Sequence, residues 1–251
     1  MKVLHINGNY IYTNLHQIMI ENLEKRGIYN KVFVPTCKNS NSVVNVNKNV
    51  EISECFKKWD RLAFDYKQRK IRKALEDNVE IQNYDLIHAY TLFTDGNCVR
   101  KVSKKYGIPY VVAVRNTDVN YFFRLMPHLR RRGIKIMLDA KAVFFLSEAY
   151  RKQVFEKYIP HKYHKVIQNK THIIPNGIDE FWLRNLPDGE NTLGDTIKLI
   201  YAGRIDKNKN ISTTQKAMEL LRNKGFELSL TVVGKVTDEK VFEVIQADKY
   251  T

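Results

Sequence analysis

The sequence predicts an α/β protein in which two parallel β-sheets are covered by helices. Short apolar runs alternate with helix-like stretches along the first 176 residues, and strands separated by helices indicate βαβ units. Runs such as "VVAV" and "VFFL" are apolar throughout, as expected of strands buried on both faces. The alternation stops after Asn176 and restarts at Ile197, which predicts two α/β units.

The first unit is predicted to contain six strands joined mainly by helices. The run "KVLHI" (2–6) is the first strand. Apolar residues within 14–27 then recur at helical spacing, and Thr13 or Asn14 can cap that helix. The other predicted strands are 31–35, 85–90, 110–115, 142–147 and 172–176. The other predicted helices lie within 56–78, 95–107, 119–140 and 148–158.

A change of composition predicts the domain boundaries. We expect an N-terminal domain over 1–176, a linker over 177–196 and the start of a second domain over 197–251. The segment 177–195 contains a proline, three glycines and five acidic residues, which is typical of a linker. Residues 197–251 predict only two strands and two helices. Because such a small sheet buries little core, we expect this unit to be incomplete or to pack firmly on the first.

The charge of the chain is strongly positive. It carries a formal net charge of +15, of which +12 lies in residues 1–196. Two basic stretches, 57–73 and 124–135, also contain aromatic and apolar residues. This pattern predicts amphipathic helices packed on their own sheet, with peripheral contact to an anionic membrane as the alternative. The sequence shows no helix-turn-helix, zinc-finger or RNP-like string, so we predict no nucleic-acid partner.

Cysteine content and hydropathy favour the cytoplasm. Cys37, Cys55 and Cys98 are widely spaced and odd in number, which argues against a disulfide framework and fits a reducing compartment. No apolar run approaches about 18 residues, and the N-terminus lacks a signal-peptide pattern. We therefore expect a cytoplasmic protein, with attachment to the inner face of the membrane as a further possibility.

The segment "YAGRIDKNKN" is the leading candidate for a functional site. It follows an apolar strand, and parallel sheets bind ligands beyond the carboxyl ends of their strands. Gly203 permits close approach of a ligand to the backbone. Arg204 offers a planar fork for phosphate oxygens, and Lys209 adds a second cation. Asn210 or Ser212 can cap the next helix, whose amides favour anions. The pattern predicts a diphosphate site, and an ordinary βα loop with surface cations is the alternative.

Three segments resemble the family-4 glycosyltransferases of the GT-B fold. They are "IIPNGID" (173–179), "LIYAGRIDKNKN" (199–210) and "LTVVGK" (230–235), in the order and spacing of the family's motifs. "YDLIHAY", "VVAVRNTDVN" and "AVFFLSEAYRKQV" resemble family strands more weakly. The resemblance implies two Rossmann-like, doubly wound parallel-sheet domains, the second of them incomplete in this chain.

The same resemblance implies an activity and roles for residues of the second unit. A sugar would move from a nucleotide-diphospho-sugar to an acceptor hydroxyl with retained configuration, without a bound metal or cofactor. Arg204 and Lys209 match the catalytic pair that neutralises the departing diphosphate, while Gly203 and Gly234 match donor-binding positions. The implied partners are a nucleotide sugar and a sugar or lipid-linked acceptor. The implied pathway is surface polysaccharide or glycolipid biosynthesis.

Candidate acceptor-side residues come from the first unit. Gly8, Thr13 and Asn14 lie where the family has a Gly-Gly loop. Arg115 replaces a histidine that is common in the family; it cannot act as a general base but can bind phosphate or an anionic acceptor. His88 lies near the end of the predicted strand 85–90, where it would face the cleft, and it also fits a core histidine. Asp118 can contact an acceptor hydroxyl or cap the next helix.

One expected signature is missing. The family's Glu-x₇-Glu loop is not found before the sequence stops at Thr251. We therefore expect the 251-residue chain alone to show little or no transferase activity. Two alternatives remain open: another GT-B enzyme, such as a nucleotide-sugar 2-epimerase, and a non-catalytic binding domain.

Overall fold

The computed structural model describes residues 1–37, 48–186 and 196–247. The chain forms two compact units, Met1–Asn185 and Leu186–Thr251. The predicted linker contains a short helix near its start, and its residues 187–195 lie outside the described part. Residues 248–251, at the end of the predicted second domain, also lie outside it.

Unit 1 contains a parallel sheet of seven described strands. They are β1 (Lys2–Ile6), β2 (Tyr29–Cys37), β3 (Val50–Phe56), β4 (Leu86–Ala89), β5 (Tyr110–Val114), β6 (Ala142–Phe145) and β7 (Thr171–Ile173). Their spatial order is β3-β2-β1-β4-β5-β6-β7. The order reverses between β1 and β4, which is the doubly wound arrangement. The α/β class and the six predicted strands are confirmed, whereas β3 was not predicted.

The described helices of unit 1 connect these strands. They are α1 (Asn14–Glu24), α2 (Phe64–Asn78), α3 (Gly96–Tyr106), α4 (Pro127–Asp139), α5 (Glu148–Tyr158), α6 (His164–Gln168) and α7 (Glu180–Arg184). Thr13 caps α1 as predicted, because its Oγ1 accepts a hydrogen bond from the Leu15 backbone N–H at 3.3 Å.

Two predicted helices differ from those observed. The helix expected over 56–78 begins only at Phe64, because β3 runs to Phe56 and a 3₁₀ turn follows it. Only the two ends of β3, Val50 and Phe56, are buried. Because the residues between them are half-buried or exposed and mostly polar, β3 has no apolar pattern that would predict a strand. The helix expected over 119–140 divides into a π-helical segment, Asp118–Phe123, and α4. Pro127 begins α4 because the residue before a proline avoids the α-helical conformation.

The two faces of the unit 1 sheet are covered unequally. The larger core contains Ile6 and Phe33 together with apolar residues of α2, α3, α4 and α5. On the opposite face, Ile20 of α1 packs in a smaller cluster with Val32 and Val34. Because successive strand residues point to opposite faces, the alternate residues of β4, β5 and β6 face away from the larger core.

Unit 2 is small. Its described elements are β8 (Thr196–Ala202), α8 (Ile211–Arg222), β9 (Glu227–Val233) and α9 (Glu239–Gln246). β8 and β9 form a parallel pair, as predicted. The core consists of Ile205, Ile211, Met218, Leu228, Leu230 and Ile245. Across the described ranges of both units, no helix combines the length and apolarity needed to cross a bilayer.

Candidate functional site

The loops after β8 and β9 run side by side at the carboxyl end of the unit 2 sheet. The Gly203 N–H donates to the Val233 carbonyl at 2.9 Å, and the Ile205 N–H donates to the Lys235 carbonyl at 2.9 Å. These hydrogen bonds extend the pairing of β8 with β9 past the ends of the two strands. They fix the backbone on both sides of Arg204, which is the first predicted catalytic residue.

Gly234 is required by packing between these loops. A Cβ at this position would lie 1.7 Å from the Gly203 carbonyl oxygen, and the φ of Gly234 is +155°. No side chain fits in that space. The close approach of the Gly203 backbone therefore explains why position 234 is a glycine. Contact between Gly234 and a donor nucleotide stays a prediction.

Asp206 connects the two predicted catalytic cations. Its Oδ2 lies 3.4 Å from Arg204 Nη2, and its Oδ1 accepts a hydrogen bond from the Lys209 backbone N–H at 3.2 Å. Both cationic side chains are exposed, and no ion pair of the Lys209 ammonium occurs among the described residues. Asp206 was not among the site residues predicted from the sequence, although it lies between the two cations.

The start of α8 has an unusual backbone. Asn210 occupies the N-cap position with a φ of +52°, and its side chain caps no helix amide. Its Oδ1 accepts a hydrogen bond from Thr213 Oγ1 at 3.0 Å instead. Among the described residues no side chain caps the first amides of α8, although the Thr213 N–H donates to the Asn210 carbonyl at 3.1 Å. Uncapped amides at a helix start can bind an anion beside Arg204 and Lys209.

In unit 1, a cavity of about 570 Å³ lies between α1 and the less covered face of the sheet. Its sheet side is formed by alternate strand residues, namely Val3, His5, Leu86, His88, Val111, Ala113 and Phe144. His88 and Arg115, which were predicted to lie on the acceptor side, both line this cavity.

Arg115 is anchored at the carboxyl end of β5. Its Nη1 donates to Asn176 Oδ1 at 2.7 Å, and its Nε donates to the Tyr90 carbonyl at 3.3 Å. Burial lowers the pKa of the guanidinium, but an arginine remains charged at neutral pH. Arg115 therefore brings a fixed positive charge to a cavity that is otherwise mostly apolar.

Three histidines surround Tyr90 beside this cavity. His88 stacks on Tyr90 with ring centroids 4.3 Å apart, while His5 and His16 contact the same ring. Burial lowers the pKa of His5 and of His16 to about 4 and lowers the pKa of His88 well below its ordinary value. All three rings are therefore neutral at pH 7. His88 Nε2 is buried without a hydrogen-bond partner among the described residues.

Asp118 has a structural role that replaces both sequence-based interpretations. Its carboxylate accepts hydrogen bonds from the backbone N–H groups of Leu92, Phe93 and Arg115 at 2.9–3.1 Å. It is 1% exposed, and it forms no cap for the next helix. Asp118 holds two loops together, so its carboxylate does not face an acceptor.

A second cavity, of about 140 Å³, lies at the carboxyl end of β1 and β2 and includes Gly8. Asp95 lines it, with its carboxylate accepting hydrogen bonds from Thr91 Oγ1 (2.8 Å) and the Gly8 N–H (3.4 Å). Burial raises the pKa of Asp95 to about 7. Of the other predicted residues, Thr13 and Asn14 line neither cavity. Asp95 was not among the site residues predicted from the sequence, because its position there indicates only the start of a helix.

The raised pKa of Asp95 predicts a pH-dependent stability. A carboxyl group whose pKa is higher in the folded state stabilises folding at low pH, and this contribution is lost as the pH rises from the ordinary pKa of 3.8 to about 7. We expect Asp95→Asn to remove this loss, of the order of a few kcal/mol. The variant should therefore gain stability relative to wild type between pH 5 and pH 8, as measured by urea unfolding. Parallel pH profiles for the two proteins would contradict this assignment.

Comparison with known proteins identifies the family. Residues 17–180 match the family model described as Glycosyltransferase Family 4. No curated protein sequence matches the chain significantly.

Solved structures share the fold at low sequence identity. A UDP-forming α,α-trehalose-phosphate synthase from Burkholderia xenovorans is 14% identical with a TM-score of 0.61, and the alignment covers 98% of this chain and 68% of that chain. MurG from Acinetobacter baumannii is 10% identical with a TM-score of 0.53, covering 95% and 68% of the respective chains. A UDP-GlcNAc 2-epimerase from Methanocaldococcus jannaschii is 14% identical with a TM-score of 0.52, covering 100% and 72%.

The structural similarities establish the GT-B fold of the chain. The family match spans most of unit 1, where the predicted motifs were weakest, and it is independent of the cationic loop in unit 2. The chain therefore belongs to Glycosyltransferase Family 4.

Proposed function

We propose that this protein transfers a sugar from a nucleotide-diphospho-sugar to an acceptor hydroxyl. The observation that carries this proposal is the loop after β8, which places Arg204 and Lys209 before an uncapped helix in a member of Glycosyltransferase Family 4. A bidentate guanidinium, an ammonium and free helix amides are the groups that bind a diphosphate.

The proposed chemistry follows from charge. When the bond between sugar and diphosphate breaks, negative charge develops on the phosphate oxygens. Arg204 and Lys209 stabilise this charge and thereby lower the barrier. Asp206 positions Arg204 through its carboxylate and the Lys209 backbone through its second oxygen. Transfer with retained configuration is part of the proposal.

The acceptor is proposed to bind at the carboxyl edge of the unit 1 sheet. Gly8 and Arg115 both lie there, and Arg115 carries a fixed charge suited to an anionic or phosphorylated acceptor. His88 is neutral and contributes a hydrogen-bonding nitrogen rather than a charge. The basic stretches 57–73 and 124–135 support a lipid-linked acceptor at an anionic membrane surface, within surface polysaccharide or glycolipid synthesis.

The similarity to the Methanocaldococcus epimerase favours a second candidate, a nucleotide-sugar 2-epimerase. Incubating the protein with radiolabelled UDP- and GDP-sugars and a panel of acceptors, followed by product analysis, separates the candidates. Glycoside formation supports transfer, whereas an epimerised donor without glycoside supports the epimerase. Nucleotide binding with neither product supports a non-catalytic domain.

The 251-residue chain itself is expected to turn over slowly. Unit 2 provides only two described strands for binding a donor, so the sugar and nucleotide have few protein contacts. We expect transfer that a sensitive radiochemical assay detects above background but that is far slower than in ordinary enzymes. Turnover within the ordinary enzyme range of about 1–10³ s⁻¹ would contradict this expectation.

A further inference from the structure

The smaller cavity of unit 1 contains a cation that forms no ion pair among the described residues. Lys67, on α2, lines this cavity and is partly buried. Its Nζ lies 4.4 Å from the centroid of the Phe56 ring, but Lys67 forms no ion pair with any residue in the described ranges. By contrast, Lys70, one turn later on the same helix, pairs with Asp60 at 2.7 Å.

A second cation lines the same cavity. Arg61, in the 3₁₀ turn before α2, is exposed and is close enough to Lys67 to lower the pKa of the ammonium, after the larger effect of burial. Two like charges near one another destabilise the folded state unless an anion lies between or beside them. Asp95 is the one carboxyl group among the described lining residues. It attracts the Lys67 ammonium electrostatically but forms no ion pair with it, and its oxygens accept hydrogen bonds from Thr91 and Gly8.

The cavity also contains a polar group without a partner. Thr36 is 3% exposed and lines the cavity at the end of β2. Its Oγ1 has no hydrogen-bond partner within the part of the chain that the structure describes. Because an unpaired buried hydroxyl costs free energy, such a group suggests a binding partner from outside the chain.

We propose that this cavity binds the anionic group, phosphate or carboxylate, of the sugar acceptor, with Lys67 and Arg61 providing charge and Thr36 a hydrogen bond. The inference rests on the proposed transfer reaction for the identity of the ligand as an acceptor. A volume of about 140 Å³ fits a single group of this size.

Anion binding can be measured without sugar transfer. The full 251-residue chain carrying Arg204→Ala and Lys209→Ala is titrated with inorganic phosphate and, separately, with acetate, by calorimetry and by following the Gly8 amide resonance. The two substitutions prevent the unit 2 loop from contributing. We expect saturable binding of one of the two anions, together with a shift of the Gly8 resonance. If phosphate binds more tightly, we infer that the acceptor carries a phosphate group. If acetate binds more tightly, we infer that the acceptor carries a carboxylate.

Substitutions in this background locate the site. Lys67→Met is expected to raise the Kd at least tenfold, and Arg61→Gln or Thr36→Val about threefold or more. Lys73→Met, an exposed lysine on the same helix, should change the Kd less than twofold. If Lys67→Met lowers the melting temperature, the exposed Arg61→Gln variant decides the result. The proposal is overturned if neither anion binds saturably, or if Lys73→Met weakens binding as much as the cavity variants do.

The proposed transfer reaction and the proposed anion site can be refuted separately. A protein that binds the anion through Lys67 but transfers no sugar would refute the proposed reaction and leave the anion site intact. A protein that transfers sugar but binds neither anion would refute the anion site alone.

Discussion

Replacing Arg204 or Lys209 with alanine is expected to weaken binding of a nucleoside diphosphate about ten- to a hundredfold and to lower any measurable sugar transfer about 10²–10³-fold. The loss of transfer should exceed the loss of binding, because charge on the diphosphate grows as the glycosidic bond breaks. Binding is measured by titrating the 251-residue chain with UDP and with GDP, and transfer by radiochemical product analysis.

The same loop provides a matched control. Lys207 lies two residues before Lys209 in the 3₁₀ turn and is also exposed. Lys207→Ala removes one positive charge from the loop but no side chain that is proposed to bind the diphosphate. It should therefore change the Kd of the nucleoside diphosphate less than threefold. Equal effects of Lys207→Ala and Lys209→Ala would reduce the role of Lys209 to general surface charge. Near-wild-type binding and transfer in both the Arg204→Ala and Lys209→Ala variants would remove the basis of the proposed reaction.

Replacing Gly234 with alanine is expected to destabilise unit 2 by at least about 3 kcal/mol, an effect in the range of severe core substitutions. The added Cβ would lie 1.7 Å from the Gly203 carbonyl oxygen. Backbone atoms cannot rotate away as a flexible side chain can, so the ends of β8 and β9 must separate. Hydrogen exchange of the β8 and β9 amides measures the loss, and the amides of unit 1 serve as an internal reference.

Gly225→Ala distinguishes steric overlap from backbone strain. Gly225 also lies in unit 2 with a positive φ, +89°, but a Cβ there would meet no atom within 4 Å. Its substitution should therefore cost only the left-handed backbone strain, about 1–2 kcal/mol. If the two variants lose equal protection, the close approach of the two glycine residues does not hold the strand ends together.

The sequence by itself determined the fold class and the order of most elements. Alternation of apolar strands with helical stretches requires no knowledge of distant contacts, because periodicity is a local property of the chain. The strand–loop–helix unit containing Arg204 and Lys209 was predictable for the same reason. Its proposed ligand-binding groups lie within a few residues of one another, and parallel topology fixes the end of the sheet at which they occur.

Only the tertiary structure decided the roles of groups that act across long sequence separations. The sequence predicts that Asp118 caps a helix or contacts an acceptor. In the structure, its carboxylate accepts hydrogen bonds from the backbone N–H groups of Leu92 and Phe93. In the sequence, Lys67 resembles the other lysines of α2. Only the structure shows that it lines a cavity with Arg61 and Thr36. Burial and pairing depend on which distant segments the sheet brings together, and they determine whether a polar side chain supports the fold or remains available to a ligand.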